Sequence, residues 1–438
     1  MLKKLFFNNS NLDINKQNNS GITLIALVIT IIVLLILAGV SISMLTGQNG
    51  ILTQAQNAKQ ATEQSSEKEK LEIAVTGAMA LSKNLTVENL KSELANCDIP
   101  TQNSKFPVIV NVNNKNFAIN SSGDILEYKN MIDITGEETS NTMTKDNLDN
   151  YLVVPAGFKI LNTSDNVTNG IIIEDTRYEN TKGSQFVWIP VGDIIKADKT
   201  TVNIKLSRYT FADDSVGTPT DQGSNVINNY FSEINTSPDW NATAKENIES
   251  EDSGFRKSAI TNYGYYIGRY EARDKDATDA RTSSSSTTNQ LVCTSDNYVY
   301  NYLTQPQAAK LSSEMYHDVS FKSDLMNSYA WDTAILFLQT FDNRTNKPFP
   351  YSMQRNLYAN LAVKGSGSIV NENEKDIICN IFDMANNCFE WETETSIQPD
   401  RGCCMYRGAS YGYWSIASLR NDAGYLHDDV SFRPILYL

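Results

Sequence analysis

The segment from Gly21 to Leu45 constrains the fold more than any other part of the chain. It reads GITLIALVITIIVLLILAGVSISML and contains no charged residue. A helix of this length reaches across the roughly 30 Å hydrocarbon core of a bilayer at about 1.5 Å per residue. A signal-peptide core is shorter and ends at a small-residue cleavage site. The sequence therefore predicts a single transmembrane helix that tethers the rest of the chain to a membrane.

The leader before this segment is basic and ends at Gly21, and its positive charge predicts a cytoplasmic location. A basic leader, a glycine and then Ile-Thr-Leu-Ile resembles the prepilin signature of type IV pilins and pseudopilins. The resemblance implies prepilin peptidase as a partner, cleavage between Gly21 and Ile22, N-terminal methylation, and other pilins as neighbours. The fifth mature residue, normally Glu in that family, is Ala26 here. An ordinary single-pass anchor is the alternative that stays open.

Composition limits the classes of partner. The chain has 438 residues and a net charge of −14, and phosphate binding needs a basic face, so nucleic acid is excluded as a partner. Its six cysteines are too few for a disulfide scaffold, and with two histidines they match no zinc spacing. We therefore predict neither a metal nor a cofactor. A disulfide between Cys379 and Cys388 stays open.

The order of apolar and polar segments predicts four regions. Residues 1–21 form the leader, and residues 22–130 form the transmembrane helix with a small pilin-like head. Within that head we predict a helix from Ile51 to about Lys83, followed by a β-meander from Phe106 to Tyr128. Residues 131–150 are polar and predict a linker. Residues 151–438 form a large C-terminal domain.

The C-terminal domain combines short predicted strands with few helices. Strands are predicted at Gln185–Val191 and Gly264–Tyr270, and a helix at Ser328–Phe341, where apolar residues recur on one broad face. We assign the fold class as α+β, with an N-terminal pilin-like transmembrane helix, a small β-meander, and then an irregular domain.

Six motifs in this domain carry a second resemblance. In chain order they are FVWIP (186–190), YYIGRYEA (265–272), AWDTA (330–334), NIFDMANNCFEWE (380–392), YRGASY (406–411) and SFRPILYL (431–438). Together they resemble the formylglycine-generating-enzyme domain, which is related to C-type lectins. The resemblance implies structural roles for Trp188 and Trp391 in the core, and for Arg407 and Arg433 as planar forks that bind carboxylates or carbonyls.

The chemistry of that enzyme family does not carry over. Its two catalytic cysteines would fall near Tyr413 and Ser418, and neither position is Cys. We therefore predict no catalytic residue. The alternatives left open are a membrane-anchored oxidoreductase of the formylglycine-generating type and a structural pilus subunit. The acidic turn Gln398-Pro399-Asp400 matches a galactose motif of some lectins, but a Pro-containing turn explains it better.

The segment between Arg407 and Arg433 carries Tyr, Trp, Asn, Asp, His and small residues. This composition is typical of binding surfaces, and its place before a C-terminal SFRPILYL resembles the variable proteins of diversity-generating retroelements. We predict an adhesin at the bacterial cell membrane, with its C-terminal domain outside the cell and an extracellular protein or glycan as ligand. The predicted ligand-binding residues are Tyr411, Tyr413, Trp414, Asn421, Asp422, Tyr425, His427, Asp428 and Asp429.

Overall fold

A computed structural model describes most of the chain. The described residues are 29, 31–32, 34, 51–211, 217–219, 226–230, 246–247, 249–277, 290–295, 298–316, 319–344, 350–354, 376–396, 404–410, 415–423 and 429–438. The chain divides into two compact units, Met1–Lys70 and Leu71–Leu438.

Five α-helices occur in the described residues. They are α1 (Ile51–Leu81), α2 (Val87–Asn96), α3 (Glu249–Thr261), α4 (Gln305–Glu314) and α5 (Ser328–Phe341). Local capping explains where three of them begin. The side chains of Thr86, Thr304 and Asn327 each accept a backbone N–H from the first turn of the helix that follows. At α4, the Gln307 side chain accepts the backbone N–H of Thr304 and so completes a capping box.

Strands make up most of the remaining regular structure. The first half of the chain contains β1 (Val108–Val112), β2 (Lys115–Ile119), β3 (Ile125–Tyr128), β4 (Thr142–Lys145), β5 (Tyr151–Val154), β6 (Phe158–Ile160), β7 (Ile172–Asp175), β8 (Gln185–Pro190), β9 (Gly192–Ile195), β10 (Thr201–Ile204), β11 (Tyr209–Thr210) and β12 (Thr218–Pro219). The second half contains β13 (Val226–Tyr230), β14 (Glu246–Asn247), β15 (Gly264–Gly268), β16 (Arg273–Asp274), β17 (Leu291–Val292), β18 (Tyr298–Val299), β19 (Lys322–Leu325), β20 (Ile377–Ile378), β21 (Ile381–Phe382), β22 (Phe389–Ser396), β23 (Cys404–Arg407), β24 (Arg420–Ala423), β25 (Val430–Phe432) and β26 (Pro434–Tyr437).

Three larger sheets organise these strands. The first has the order β1-β2-β3-β4-β5, and the second has the order β19-β26-β15-β8-β7-β6. The third has the order β14-β13-β22-β23-β24, with β25 pairing in parallel with β22. In this third sheet Arg407 lies opposite both Glu390 and Arg420. The segment after Arg407 therefore leaves one strand of the sheet and returns on its neighbour.

The predicted fold class, α+β with an N-terminal transmembrane helix, is wrong. The described residues are mostly β-sheet, and none of their helices is both long and apolar enough to cross a membrane. The longest of them, α1, includes Lys59, Glu63 and Lys70, and such charges are costly in hydrocarbon. Most of the predicted span lies outside the described residues. Alternating β-branched and aromatic residues, which suit pleated half-buried strands, account for the β content.

The structure places a strand where the sequence predicted a linker over residues 131–150. Strand β4 lies between β3 and β5 in the first sheet, with Thr142 opposite Val154. The polar side chains of this region are buried and hydrogen-bonded. Thr142 Oγ1 donates to Glu138 Oε2 at 2.8 Å, and Asn150 Nδ2 donates to Asp146 Oδ2 at 3.1 Å. Polarity in this segment therefore reflects internal hydrogen bonding.

The largest apolar core joins α5 to the second sheet. It combines Trp331, Ile335 and Phe337 of the helix with Val187 of β8 and Ile267 of β15, all nearly or fully buried. Burying side chains of this size contributes roughly 1.5–3 kcal/mol each. These contacts fix helix α5 against the sheet. Asp332 of this helix forms an ion pair with Arg407.

Candidate ligand-binding site

We name residues 411–428 the display segment, because it contains most of the predicted ligand residues. Its two flanks are joined. Ser410 Oγ donates to Asp429 Oδ2 at 3.0 Å, and both residues are buried. A backbone bond from Phe389 N to Asp429 O at 2.8 Å ties this closure to β22. The display segment therefore starts and ends at one fixed point of the fold.

The middle of the display segment is also anchored. Ala417 N donates to Gln354 O at 2.9 Å, and Ser418 N donates to Ser352 O at 3.0 Å. Trp331 Nε1 of α5 donates to Ala417 O at 3.1 Å. Ala417 is fully buried. The stretches 411–414 and 424–428, on either side of this middle part, hold the predicted aromatic residues and lie outside the described residues.

Arg407 fixes the strand that leads into the display segment. Its guanidinium group is buried, binds Asp332 through Nη2, and lies 3.3 Å from Glu392 Oε1 through Nη1. Gly408 follows with φ +82°, and a Cβ there would lie 2.9 Å from Met384 O. Only glycine adopts this conformation without cost so close to a neighbouring backbone. Helix α5, β22 and β23 are thus joined at one charged centre.

Arg433 fixes the part of the chain that follows the display segment. Its Nη2 lies 2.6 Å from Glu390 Oε1, and its Nη1 and Nη2 donate to Gly268 O at 2.7 Å and Phe382 O at 2.9 Å. Both Arg433 and Glu390 are buried. Bidentate pairs of this kind add geometric precision as well as binding energy. The two arginines therefore hold both flanks of the display segment.

Strand β22 supplies the carboxylates through its alternating pattern. Successive strand side chains point to opposite faces, so Glu390 and Glu392 face Arg433 and Arg407. Phe389 and Trp391 lie in an apolar cluster instead. Sequence reasoning missed these acidic partners. Glutamates that alternate with buried aromatic residues in FEWE were the signal that could have identified them.

Neighbouring carboxyl groups around Arg433 have raised pKa values. Burial raises the pKa of Glu271 to about 8, opposed by the nearby charges of Arg273 and Arg433. Loss of hydration raises the pKa of Asp383 to about 7, and Asp376 adds to the rise. Groups with such pKa values are candidates for catalysis when they line a cleft. Glu271 is instead fully buried and accepts from Cys388 N at 2.9 Å, which favours a structural role.

The two predicted core tryptophans are buried. Trp188 packs edge-on against Tyr266 with ring centroids 4.8 Å apart, and Trp391 Nε1 donates to Leu303 O at 2.9 Å. The cysteines Cys379 and Cys388 are both free thiols, so the disulfide left open by the sequence is not formed.

Most predicted ligand and processing residues fall where the structure gives no description. Residues outside the described part are Gly21, Ile22, Gln398, Pro399, Asp400, Tyr411, Tyr413, Trp414, Tyr425, His427 and Asp428. The backbone of β24 contains Asn421 and Asp422, which pair with Tyr406 and Met405. Asp429 is buried and closes the display segment through Ser410, and its role in ligand binding stays a prediction. Cleavage after Gly21 stays a prediction.

Removing the closing hydroxyl with Ser410→Ala is expected to lower the free energy of unfolding by about 1.5–3 kcal/mol, the usual worth of a bond to a charged group. Denaturant unfolding monitored by tryptophan fluorescence measures the change. The matched control is Ser82→Ala, which removes a partly exposed hydroxyl that donates to Asn84 O at 2.5 Å and accepts from Asn89 Nδ2 at 3.0 Å. Equal effects of the two substitutions would contradict a closing role for Ser410.

Comparisons with known proteins identify no family for this chain. No family model matches it, and no curated protein matches it. Among solved structures, it is similar to PvdO from Pseudomonas aeruginosa, with 12% sequence identity and a TM-score of 0.31. That match covers 58% of this chain and 95% of PvdO.

Proposed function

We propose that this chain is a ligand-binding protein of the bacterial cell surface, an adhesin whose contacts come from the display segment. One observation carries the proposal: buried Ser410 and Asp429 close the ends of that segment at 3.0 Å. Binding residues are often found on loops that a rigid scaffold positions. Here Arg407 and Arg433 supply that rigidity on either side.

The composition of the display segment supports binding. Tyrosine and tryptophan provide large contact areas at a low cost in side-chain entropy, and Ser, Gly and Asn provide adaptable hydrogen bonds. The segment reads YGYWSIASLRNDAGYLHD. The ligand class we propose is an extracellular protein or glycan. We also propose that the segment varies between related genes, as the resemblance to retroelement-diversified proteins implies.

Binding is favoured over thiol catalysis of the formylglycine-generating kind. The described thiols near the arginine centres are buried, and burial raises the pKa of Cys293 to about 12 and that of Cys388 well above its ordinary value. Catalytic thiols instead lie in accessible, electropositive surroundings that lower the pKa. The acidic groups nearest the arginines, Glu390 and Asp332, are held in ion pairs.

A binding screen tests the proposal. The full chain is applied to a printed glycan array and to a panel of purified extracellular proteins. A triple variant with alanine at Tyr413, Trp414 and Tyr425 is expected to bind any captured probe about 30-fold or more weakly. A hot-spot side chain contributes roughly 2 kcal/mol or more to binding. The melting temperature is expected to stay unchanged.

Tyr298→Ala provides the control for this screen. Tyr298 is a half-buried tyrosine of β18, outside the display segment. We expect this substitution to leave probe binding unchanged. Capture of no probe by the wild-type chain, or equal binding by the triple variant, would contradict the proposed function.

A further inference from the structure

A separate cleft of about 360 Å³ lies between the turn at residues 120–124, the C-terminal half of α3 and the end of β26. This volume falls within the roughly 300–1,000 Å³ range of small-molecule pockets. Its lining combines the apolar residues Leu126 and Leu438 with polar and charged ones, which include Asp124, Lys257, Ser258, Thr261 and Asn262. The cleft therefore has the size and chemistry for a small polar ligand.

Hydrogen bonds between its walls preform the cleft. Asn120 Nδ2 donates to Asn262 Oδ1 at 3.0 Å, and both side chains are buried. The hydroxyl oxygens of Ser122 and Thr261 are 3.1 Å apart. A bond that crosses from the turn to α3 holds the two walls at a fixed distance. A preformed site loses little entropy when a ligand binds.

The turn that carries Asp124 is itself rigid. Asn120 Oδ1 accepts the backbone N–H of Ser122 at 3.0 Å and that of Asp124 at 2.9 Å. Asn120 Nδ2 also donates to Asp124 Oδ2 at 2.8 Å. The bond to Oδ2 therefore orients the Asp124 carboxylate, and Oδ1 remains available to accept a hydrogen bond from a ligand.

Two opposite charges line the same cleft. Lys257 is exposed on α3, one helical turn before Thr261. Within the described ranges, neither Asp124 nor Lys257 forms an ion pair within 4.0 Å. Both charged side chains can therefore bind a ligand without first breaking a salt bridge.

The direction of α3 gives these charges an order along the cleft. The Ser122–Thr261 contact places the Asp124 turn at the C-terminal end of α3. A helix C-terminus carries a partial negative charge, which favours a cation there, together with the Asp124 carboxylate. Lys257 lies one helical turn before this end of α3, and the ammonium group of its flexible side chain favours an anion. The cleft is thus complementary to a molecule with both charges.

We infer that this cleft binds a free α-amino acid, with the ligand ammonium at Asp124 and the ligand carboxylate at Lys257. A zwitterion matches one negative and one positive side chain, whereas an anionic sugar would leave the charge of Asp124 uncompensated. The side chains of Leu126 and Leu438 add an apolar wall for the ligand's carbon atoms. This inference is independent of the proposed adhesin function.

Isothermal titration of the full chain with each standard amino acid, at up to about 10 mM, tests the inference. We expect saturable binding of at least one of them, with a dissociation constant of about 1 mM or lower. Its N-acetyl and methyl-ester derivatives, which each remove one charge, are expected to bind at least about tenfold more weakly. The inference would be overturned if no standard amino acid bound. It would also be overturned if the derivatives, or galacturonate, bound as tightly as the amino acid.

Two substitutions locate the site. We expect Lys257→Met and Asp124→Asn each to weaken binding of the amino acid by about tenfold or more. The melting temperature is expected to stay unchanged in both variants. Lys205→Met is the matched control, because Lys205 is also an exposed lysine but does not line the cleft. An unchanged affinity in both site variants, or an equal loss in the control, would place binding elsewhere and overturn the assignment.

Discussion

Replacing Arg433 by methionine is expected to lower the free energy of unfolding by about 3–5 kcal/mol, because it leaves the Glu390 carboxylate buried without its cation. Arg433 is fully buried and contacts Glu390 Oε1 at 2.6 Å. The substitution also removes the donors to Gly268 O and Phe382 O. Urea unfolding of the full chain measures the loss as a lower denaturation midpoint at unchanged slope.

The matched control for this change is Arg177→Met. Arg177 is half-buried, its Nε lies 2.6 Å from Glu137 Oε1, and its Nη2 donates to Glu138 O at 2.7 Å. The substitution therefore removes the same guanidinium group from a partly solvated site. We expect a cost of about 1–2 kcal/mol there, from a partly solvated ion pair and one hydrogen bond. Adding Glu390→Leu to Arg433→Met is expected to recover part of the lost stability, since it removes the uncompensated charge. A cost at Arg433 no larger than at Arg177 would show that the buried pair does not hold the domain.

Raising the pH from about 5.5 to about 8.5 is expected to destabilise the chain, and the ionisation of Glu271 alone accounts for about 2–4 kcal/mol of the loss. The pKa of Glu271 is raised from 4.5 to about 8 in the folded protein, so the folded state keeps a proton that the unfolded chain releases. This stabilisation is complete below about pH 4.5 and is lost as the pH rises through about 8. The charges that face Glu271 are those of Arg273, Asp383, Glu390 and Arg433.

Asp383 acts in the same direction at a lower pH. Its pKa is raised from 3.8 to about 7, so its contribution is lost as the pH passes about 7. Melting temperatures measured across this range in buffers of equal ionic strength give the dependence. Glu271→Gln removes one titrating proton and is expected to flatten the upper part of the curve. A melting temperature that is constant or that rises toward alkaline pH would contradict these protonation states.

Locally encoded elements were the most predictable parts of the fold. The helix predicted at Ser328–Phe341 has those bounds in the structure, because its apolar periodicity and the Asn327 cap are both short-range signals. The strand predicted at Gln185–Val191 ends at Pro190 instead. The meander predicted between Phe106 and Tyr128 corresponds to β1, β2 and β3. Each of these patterns is contained within a few adjacent residues.

Long-range polar partners could not be predicted from the sequence. Asp146 satisfies the backbone N–H of Val167 at 2.7 Å, so a polar segment that resembled a linker is part of the folded sheet. Asp429 likewise lies in a polar stretch of sequence, yet it is buried and accepts from Ser410 Oγ at 3.0 Å. The composition of a short stretch does not reveal whether a polar side chain finds a buried partner elsewhere in the chain.

Replacing residues 411–414 and 424–428 by Gly-Ser sequence of equal length tests the central claim most directly. The flanks Ser410 and Asp429, the anchored middle and the arginine pairs all remain in this variant. We predict that the melting temperature stays within about 3 °C of wild type, a loss of roughly 1 kcal/mol or less, while binding to the probe captured by wild type disappears. Retained binding, or a domain that no longer unfolds cooperatively, would show that these two stretches belong to the structural core and are not the ligand surface.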